Sequence, residues 1–543
     1  MDTFVILLNT IYFIEVRRMK KQIISNAFLF LSIMVYVVLF KTIFGQSNLM
    51  VGVTVLIIGL VTSEKDMTQN LKLLFIKLLF ILLYMGLASY LITVSAFLTM
   101  LISIPFIFFM TYWTTINGKK TYHFPYLLGY LFLLLSAPVS DIKMLPGRLI
   151  SLAIGALLIV LLQYVMNKDT YKKILKNENE TALELVEKRI DRILSQDYSI
   201  HPEEIDVLKL GMKRFMKVTF ERRNLRTTLT TDSMYRVSEI ISLHKIYYLL
   251  TDVSNYYEAG ETSEELLLDL KLLVQGLKNE DYAIAAKIFD KWDEKVLPDF
   301  MQKIKQALKI LKLSEQDVYP EYKENILHQI FQIDTKSLSF KFAMRVTILL
   351  SAALFYTTFF NLEYGRWLCF TLLALVQPSY EESNKKTWMR FTGTLFGVIL
   401  FLILFTIFKS STSRTLIVMI TSYVNMFFNR YDYKMIATTI QSLGAAVIGT
   451  TGLIVAQNRV GFVLLGGIVA FLGNRYLFTI REKEAHTYLM DLYEKYKHYL
   501  LGNEKYPHTV IVEAYHALEM AGDDNKYREW LNVSFDALTN PIQ

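Results

Sequence analysis

Five basic side chains stand in or at the edges of long apolar stretches, where an ionisable group is costly enough to be a functional candidate by default. Lys77 lies within one stretch, Arg390 begins another, and Arg345, Arg148 and Arg459 stand near the ends of three more. No Asp or Glu lies well inside any of these stretches. The set therefore lacks the carboxylates of an intramembrane proton relay and offers cations, which suit an anionic solute. For Arg148, Arg459 and Arg345 the competing reading is an interfacial cation whose side chain reaches back to the lipid headgroups. Uncharged polar groups share the stretches: Thr54, Thr394, Asn425, Thr438, Thr439, Gln441 and Ser442, and Gln377 followed by Pro378, which frees a backbone carbonyl for a ligand or water. Arg390, Gln377, Pro378, Thr394, Lys77 and Thr54 are the candidate residues of a solute path.

Other chemistries find little support. Cys369 is the only cysteine, so one chain can form neither a disulfide nor a thiolate metal cage. The eight histidines include no HExxH pair, and the nearest approach to a phosphate-binding GxxxxGK[ST] is Gly118-Lys119-Lys120-Thr121, which lacks the first glycine. No nucleophile–base pair appears, and neither an enzymatic role nor a metal or cofactor is expected. The formal charge of +8 is the surplus expected of a protein with basic loops on one side of a membrane, and it does not imply nucleic acid.

The elements that must carry these residues follow from segregated apolarity. The hydrophobic fraction is 53% and the mean hydropathy +0.32, concentrated in 22–166 and 339–480, while 167–335 and 481–543 are rich in charge. A spanning helix needs ~20 apolar residues. Spans are predicted near 23–42, 49–62, 73–91, 93–112, 124–140 and 149–166, then 343–361, 367–380, 391–408, 415–429, 435–457 and 460–480. The fold class is thus an all-α polytopic membrane protein: two parallel six-helix transmembrane halves plus a cytoplasmic helical domain. The expected divisions are 1–22 (an amphipathic segment, with Met19 the alternative start), 23–166, 167–338, 339–480 and a helical tail, 481–543. Basic loops, among them Lys65 with Lys72 and Lys385 with Lys386, place both termini and the middle domain in the cytoplasm of a multi-pass protein of the cytoplasmic membrane.

An internal echo supports two repeats. Arg148 stands seven residues before Gly155, and Arg459 seven before Gly466, and the second span of each half is short. Paired short segments at corresponding positions point to a transport site. Gly393 and Gly397 form a GxxxG and Ala445 with Gly449 a similar pair, which suit close helix packing, as do Gly155 and Gly466. In the middle domain, Leu183, Val186, Ile190 and Ile193 share one helix face, as do Ile284, Ile288, Trp292 and Val296. The basic stretch Lys213, Arg214, Lys217, Arg222, Arg223 and Arg226 reads as a solvated face turned toward the membrane surface, or as a site for anions or lipid headgroups.

Residues 366–397 contain Arg-Trp-Leu-Cys-Phe-Thr, a Gln-Pro at 377–378, and Arg390-Phe-Thr-Gly393-Thr394-Leu-Phe-Gly397. This segment resembles the fusaric-acid-resistance (FUSC) and aromatic acid exporter family, whose layout is similar along nearly the whole chain. The first half lacks the motif. The resemblance implies efflux of small, often aromatic, organic acids, and kinship with plant malate channels. The leading expectation is a secondary transporter exporting small organic, mainly aromatic carboxylic, anions through the lipid bilayer, as a homo-oligomer with a dimer favoured. A passive anion channel and a membrane-anchored scaffold are the alternatives.

Overall fold

The computed structural model describes residues 2–116, 120–222, 229–252, 264–279, 281–292, 297–313, 333–446, 452–502 and 507–539. Gly118, Lys119, Arg223, Arg226, Gly260, Val296 and Gly449 lie outside the described residues. The described chain is helical apart from two antiparallel two-residue strands, Thr115–Ile116 and Lys120–Thr121. It divides into two compact units.

Unit 1 gathers residues 1–61, 75–160 and 334–485. Its first helices are α1 (Asp2–Phe44), α2 (Leu49–Thr62), α3 (Leu71–Val94), α4 (Ala96–Thr114), α5 (Phe124–Leu131) and α6 (Leu145–Asn167). No Gly or Pro interrupts α1, so the segment expected separately at 1–22 is continuous with the first apolar stretch. Ser95 caps α4 by accepting from the Leu98 amide, which fixes the break within the apolar run 73–113. Another six helices occupy the later part: α13 (Leu338–Phe359), α14 (Arg366–Leu375), α15 (Tyr380–Ile407), α16 (Ser411–Asn425), α17 (Tyr431–Ala446) and α18 (Gly452–Tyr476). Seven helices among the described residues are long and apolar enough to cross a membrane: α1, α3, α4, α6, α13, α15 and α18. The apolar helices α2, α5 and α14 are shorter, and α16 and α17 have 15 and 16 residues. A multi-pass membrane protein follows.

Three expected boundaries move. The helix expected over 367–380 stops at Leu375, because Pro378 has no amide to continue it and forces the preceding residue out of helical geometry. The next helix starts at Tyr380, capped by Ser379, so Arg390 lies well inside α15 and not at its mouth. Arg459 stands two turns inside the last described membrane helix, Gly452–Tyr476, and not at its mouth.

The two parts of unit 1 meet along α4 and α13, where Phe108 packs edge-on against Phe340 and Ser339 Oγ donates to the Thr115 carbonyl. A second contact runs through α5. A Cβ on Gly129 would stand 2.5 Å from Thr54 of α2. Phe132, in the π-helical turn that follows α5, meets Phe370 of α14 with ring centroids 5.1 Å apart.

Unit 2 gathers residues 62–74, 161–333 and 486–543. Its helices are α7 (Thr170–Leu194), α8 (Pro202–Glu221), α9 (Thr231–Thr251), α10 (Glu264–Lys278), α11 (Tyr282–Lys291), α12 (Asp299–Leu313), α19 (Glu482–Leu501), α20 (Pro507–Ala521) and α21 (Tyr527–Thr539). Leu183, Val186, Ile190 and Ile193 are buried as one stripe. The second expected stripe does not form: α11 ends before Trp292, Ile284 is exposed, and Ala285 takes the inward position. Buried polar pairs tie the tail to α9: His244 with Tyr527 and Ser238 with His508, each 2.8 Å apart. Four residues of the basic stretch are described, each with a carboxylate partner, and Lys213, Arg214 and Lys217 are about half exposed. Lys213 meets Glu519, Arg214 meets Glu178, Lys217 meets Glu221, and Arg222 meets Asp66 at 2.7 Å.

Candidate functional site

α14, α15, α17 and α18 converge on two arginines. Arg390 of α15 is 9% exposed and Arg459 of α18 is 5% exposed. Arg390 Nη1 donates to the Tyr431 hydroxyl at 3.0 Å and lies 3.3 Å from Met435 Sδ, and Nη2 reaches Thr371 Oγ1 at 3.4 Å. Arg459 Nη2 reaches Thr439 Oγ1 at 3.5 Å, and its guanidinium covers the Trp367 ring at 5.1 Å. The Nε of each has no hydrogen-bond partner. Neither pairs with a carboxylate among the described residues, and the charges bearing on Arg459 are those of Arg390 and Arg366, both positive. Buried like charges held only by bonds to neutral groups are expensive, and an anion between them would offset that cost. A buried apolar cluster that includes Trp367, Phe401, Phe405, Ile440 and Leu443 adjoins them.

The glycines of the GxxxG allow this convergence. A Cβ on Gly393 would stand 2.6 Å from the Asp432 carbonyl, and one on Gly397 2.7 Å from Thr439 Cβ. α15 and α17 therefore approach backbone to backbone, setting Tyr431 and Thr439 beside the arginines. Thr394 is buried on the same face of α15.

Gln377 and Pro378 act through their backbone. Arg345, fully enclosed in α13, donates through Nη2 to both carbonyls at 2.7 Å and through Nη1 to the Phe478 carbonyl at 3.4 Å. It thus binds the carbonyls that the break after α14 leaves without helical donors. The Gln377 side chain faces Lys386, whose Nζ donates to Oε1 at 2.7 Å.

The echo between the two parts of unit 1 is structural. Gly155 of α6 lies against α2, where a Cβ would stand 2.3 Å from Val55, and Gly466 of α18 lies against α14, where one would stand 2.8 Å from Thr371. Eight residues further on, Gln163 donates its side-chain amide to the Thr62 carbonyl and Asn474 donates to the Leu375 carbonyl, each at the end of a short helix. Sequence reasoning found the glycines but passed over these amides.

The remaining candidates lie elsewhere. Lys77 is exposed on α3. Thr54 is fully buried against Gly129, and its hydroxyl has no partner. Arg148, Arg345 and Arg459 do not extend outward as interfacial cations. Each is buried, because backbone carbonyls, side-chain oxygens or an aromatic face hold it within the helices. A residue the sequence did not single out is His123, which is 2% exposed, edge-on to Phe342, with both ring nitrogens unpartnered. Among the described residues no group of three or more His, Cys, Asp or Glu could hold a metal ion.

Residues 351–473 match the fusaric acid resistance protein-like family, and this segment carries both arginines. Among curated proteins, the chain is similar to the uncharacterized protein ORF2 of Neisseria gonorrhoeae, with 26% identity over 151 residues, covering 27% of this chain and 36% of that protein. It is also similar to an uncharacterized protein of Haemophilus influenzae, with 26% identity over 159 residues, 28% of this chain and 22% of that protein. The matches thus span well under half the length of either relative. No solved structure matches the chain.

Proposed function

With residues 351–473 fusaric acid resistance protein-like, we propose that this multi-pass membrane protein is a secondary exporter of small organic anions, aromatic carboxylates foremost. The observation that carries the reading is the pair Arg390 and Arg459, both buried, both without a carboxylate partner among the described residues, and both with an unsatisfied Nε. A carboxylate takes two parallel hydrogen bonds from a guanidinium, and an aryl ring would rest against the apolar cluster around Phe401 and Trp367. The two six-helix halves would sit in the cytoplasmic membrane with unit 2 in the cytoplasm. An inside-negative potential drives an anion outward with ~2.3 kcal/mol per charge per 100 mV, so no nucleotide site is required.

The test is efflux of labelled hydroxybenzoate-type acids from loaded proteoliposomes under an imposed potential. Saturable efflux that falls at least tenfold in Arg390→Gln and in Arg459→Gln, with the protein correctly inserted, supports the exporter. Large non-saturating currents would favour the channel. Absence of flux for every acid would sink transport and leave the scaffold.

A further inference from the structure

We infer that the amino-terminal part of unit 1 holds its own binding site for a small monovalent anion, at Arg148. A cavity of about 480 Å³ opens at the start of α2, between Gln46–Met50 and Ser136–Ser140, with Met144 and Arg148 closing it. That volume suits a benzoate-sized molecule. Its lining contains serines, Gln46 and Asn48 beside Pro138 and Met144, and no Asp or Glu.

Arg148 is 3% exposed. Its Nε donates to Asn48 Oδ1 at 2.7 Å, Nη1 to the Ala137 carbonyl at 3.0 Å and Nη2 to the Ser47 carbonyl at 2.9 Å. All three acceptors are neutral, so the positive charge is held in place but not cancelled. A guanidinium carries five N–H groups, and these three bonds leave two of them for a ligand. The first turn of α2, Leu49 and Met50, also lines the cavity, and a helix N-terminus adds partial positive charge there. A rigid cation, a helix start and a lining without acids select a carboxylate or a halide over any cation or neutral solute.

The repeat gives the placement independent support. Arg148 precedes Gly155 and Gln163 at the spacing by which Arg459 precedes Gly466 and Asn474. Both arginines lie at the start of a short helix, Arg148 beside Ser47 and Asn48, and Arg459 over Trp367. Binding at Arg148 requires no transport.

The experiment uses the full chain in detergent, carrying Arg390→Gln and Arg459→Gln so that the other pair contributes nothing. Its thermal midpoint is followed against sodium benzoate and against sodium chloride, with sodium sulfate, a divalent anion, holding ionic strength constant. The expected result is a saturable rise with at least one anion, benzoate alone marking an organic-acid site and chloride a halide site. Adding Arg148→Gln should raise the half-saturating concentration at least tenfold. Ser140→Asp should do the same, because it sets a carboxylate on the cavity wall without touching the three bonds of Arg148, and it decides the matter if Arg148→Gln does not fold. No saturable rise with either anion, or a rise that survives Ser140→Asp unchanged, overturns the site.

Discussion

Asp66 accepts a 2.7 Å hydrogen bond from Arg222, far away in sequence, and its carboxylate is only 1% exposed. Thr68 bonds the other oxygen through both its amide and its hydroxyl, and the Arg222 guanidinium lies over the Tyr171 ring at 4.3 Å. These bonds tie the segment after α2 into unit 2. Removing one partner of a buried pair costs about 3–5 kcal/mol, because the other charge is left uncompensated. Arg222→Ala should therefore lower the unfolding midpoint strongly, while the exchange Asp66→Arg with Arg222→Asp should recover part of it. Equal loss in the single and exchanged variants would show that the pair is not what holds this segment.

Unit 2 should lose stability on mild acidification. Burial pushes the His244 imidazole down to about 3 and that of His508 down to about 4. Both bind protons more readily unfolded, near 6.5, so their contribution is full above that value and is lost progressively as pH falls toward the folded values. At pH 5 the expected loss is ~2 kcal/mol for each histidine. Thermal midpoints from pH 7 to pH 5 check this, and His244→Gln should flatten the slope.

The two packing glycines make a matched prediction. Gly155→Leu and Gly466→Leu should each destabilise by about 1–3 kcal/mol, since the new side chain must displace Val55 or Thr371. Gly461, on the same helix as Gly466 with nothing within 4 Å of an added Cβ, is the control, and Gly461→Leu should be near neutral. Denaturation in detergent reads all three, and an equal effect at Gly461 would refute the packing argument.

Much of this arrangement is legible in the amino-acid sequence. The bounds of α2 follow from its apolar run, and Arg390 and the GxxxG stand out because charge and small residues are rare inside apolar helices. The burial of Arg459 was not legible, because the Thr439 hydroxyl and the Trp367 ring that hold it come from other helices. Asp66 reads as an ordinary loop acid until Arg222 is placed beside it. Gln163 and Asn474 are unremarkable amides on their own, and only the helix ends they reach give them a role. The pairing of Lys213 and Arg214 was hidden for the same reason, since Glu519 and Glu178 come from other helices.

α5 and the π-helical turn after it touch the short helices of both parts of unit 1, Gly129 against Thr54 on one side and Phe132 against Phe370 on the other. Those contacts stand less than one helical turn apart and leave no slack at the glycine. Such a wedge works as a shared axle: α2 cannot tilt without loading α14 through the same short rod. Any rocking of one short helix would therefore be concerted with the other, and neither part of unit 1 would idle while its neighbour moves.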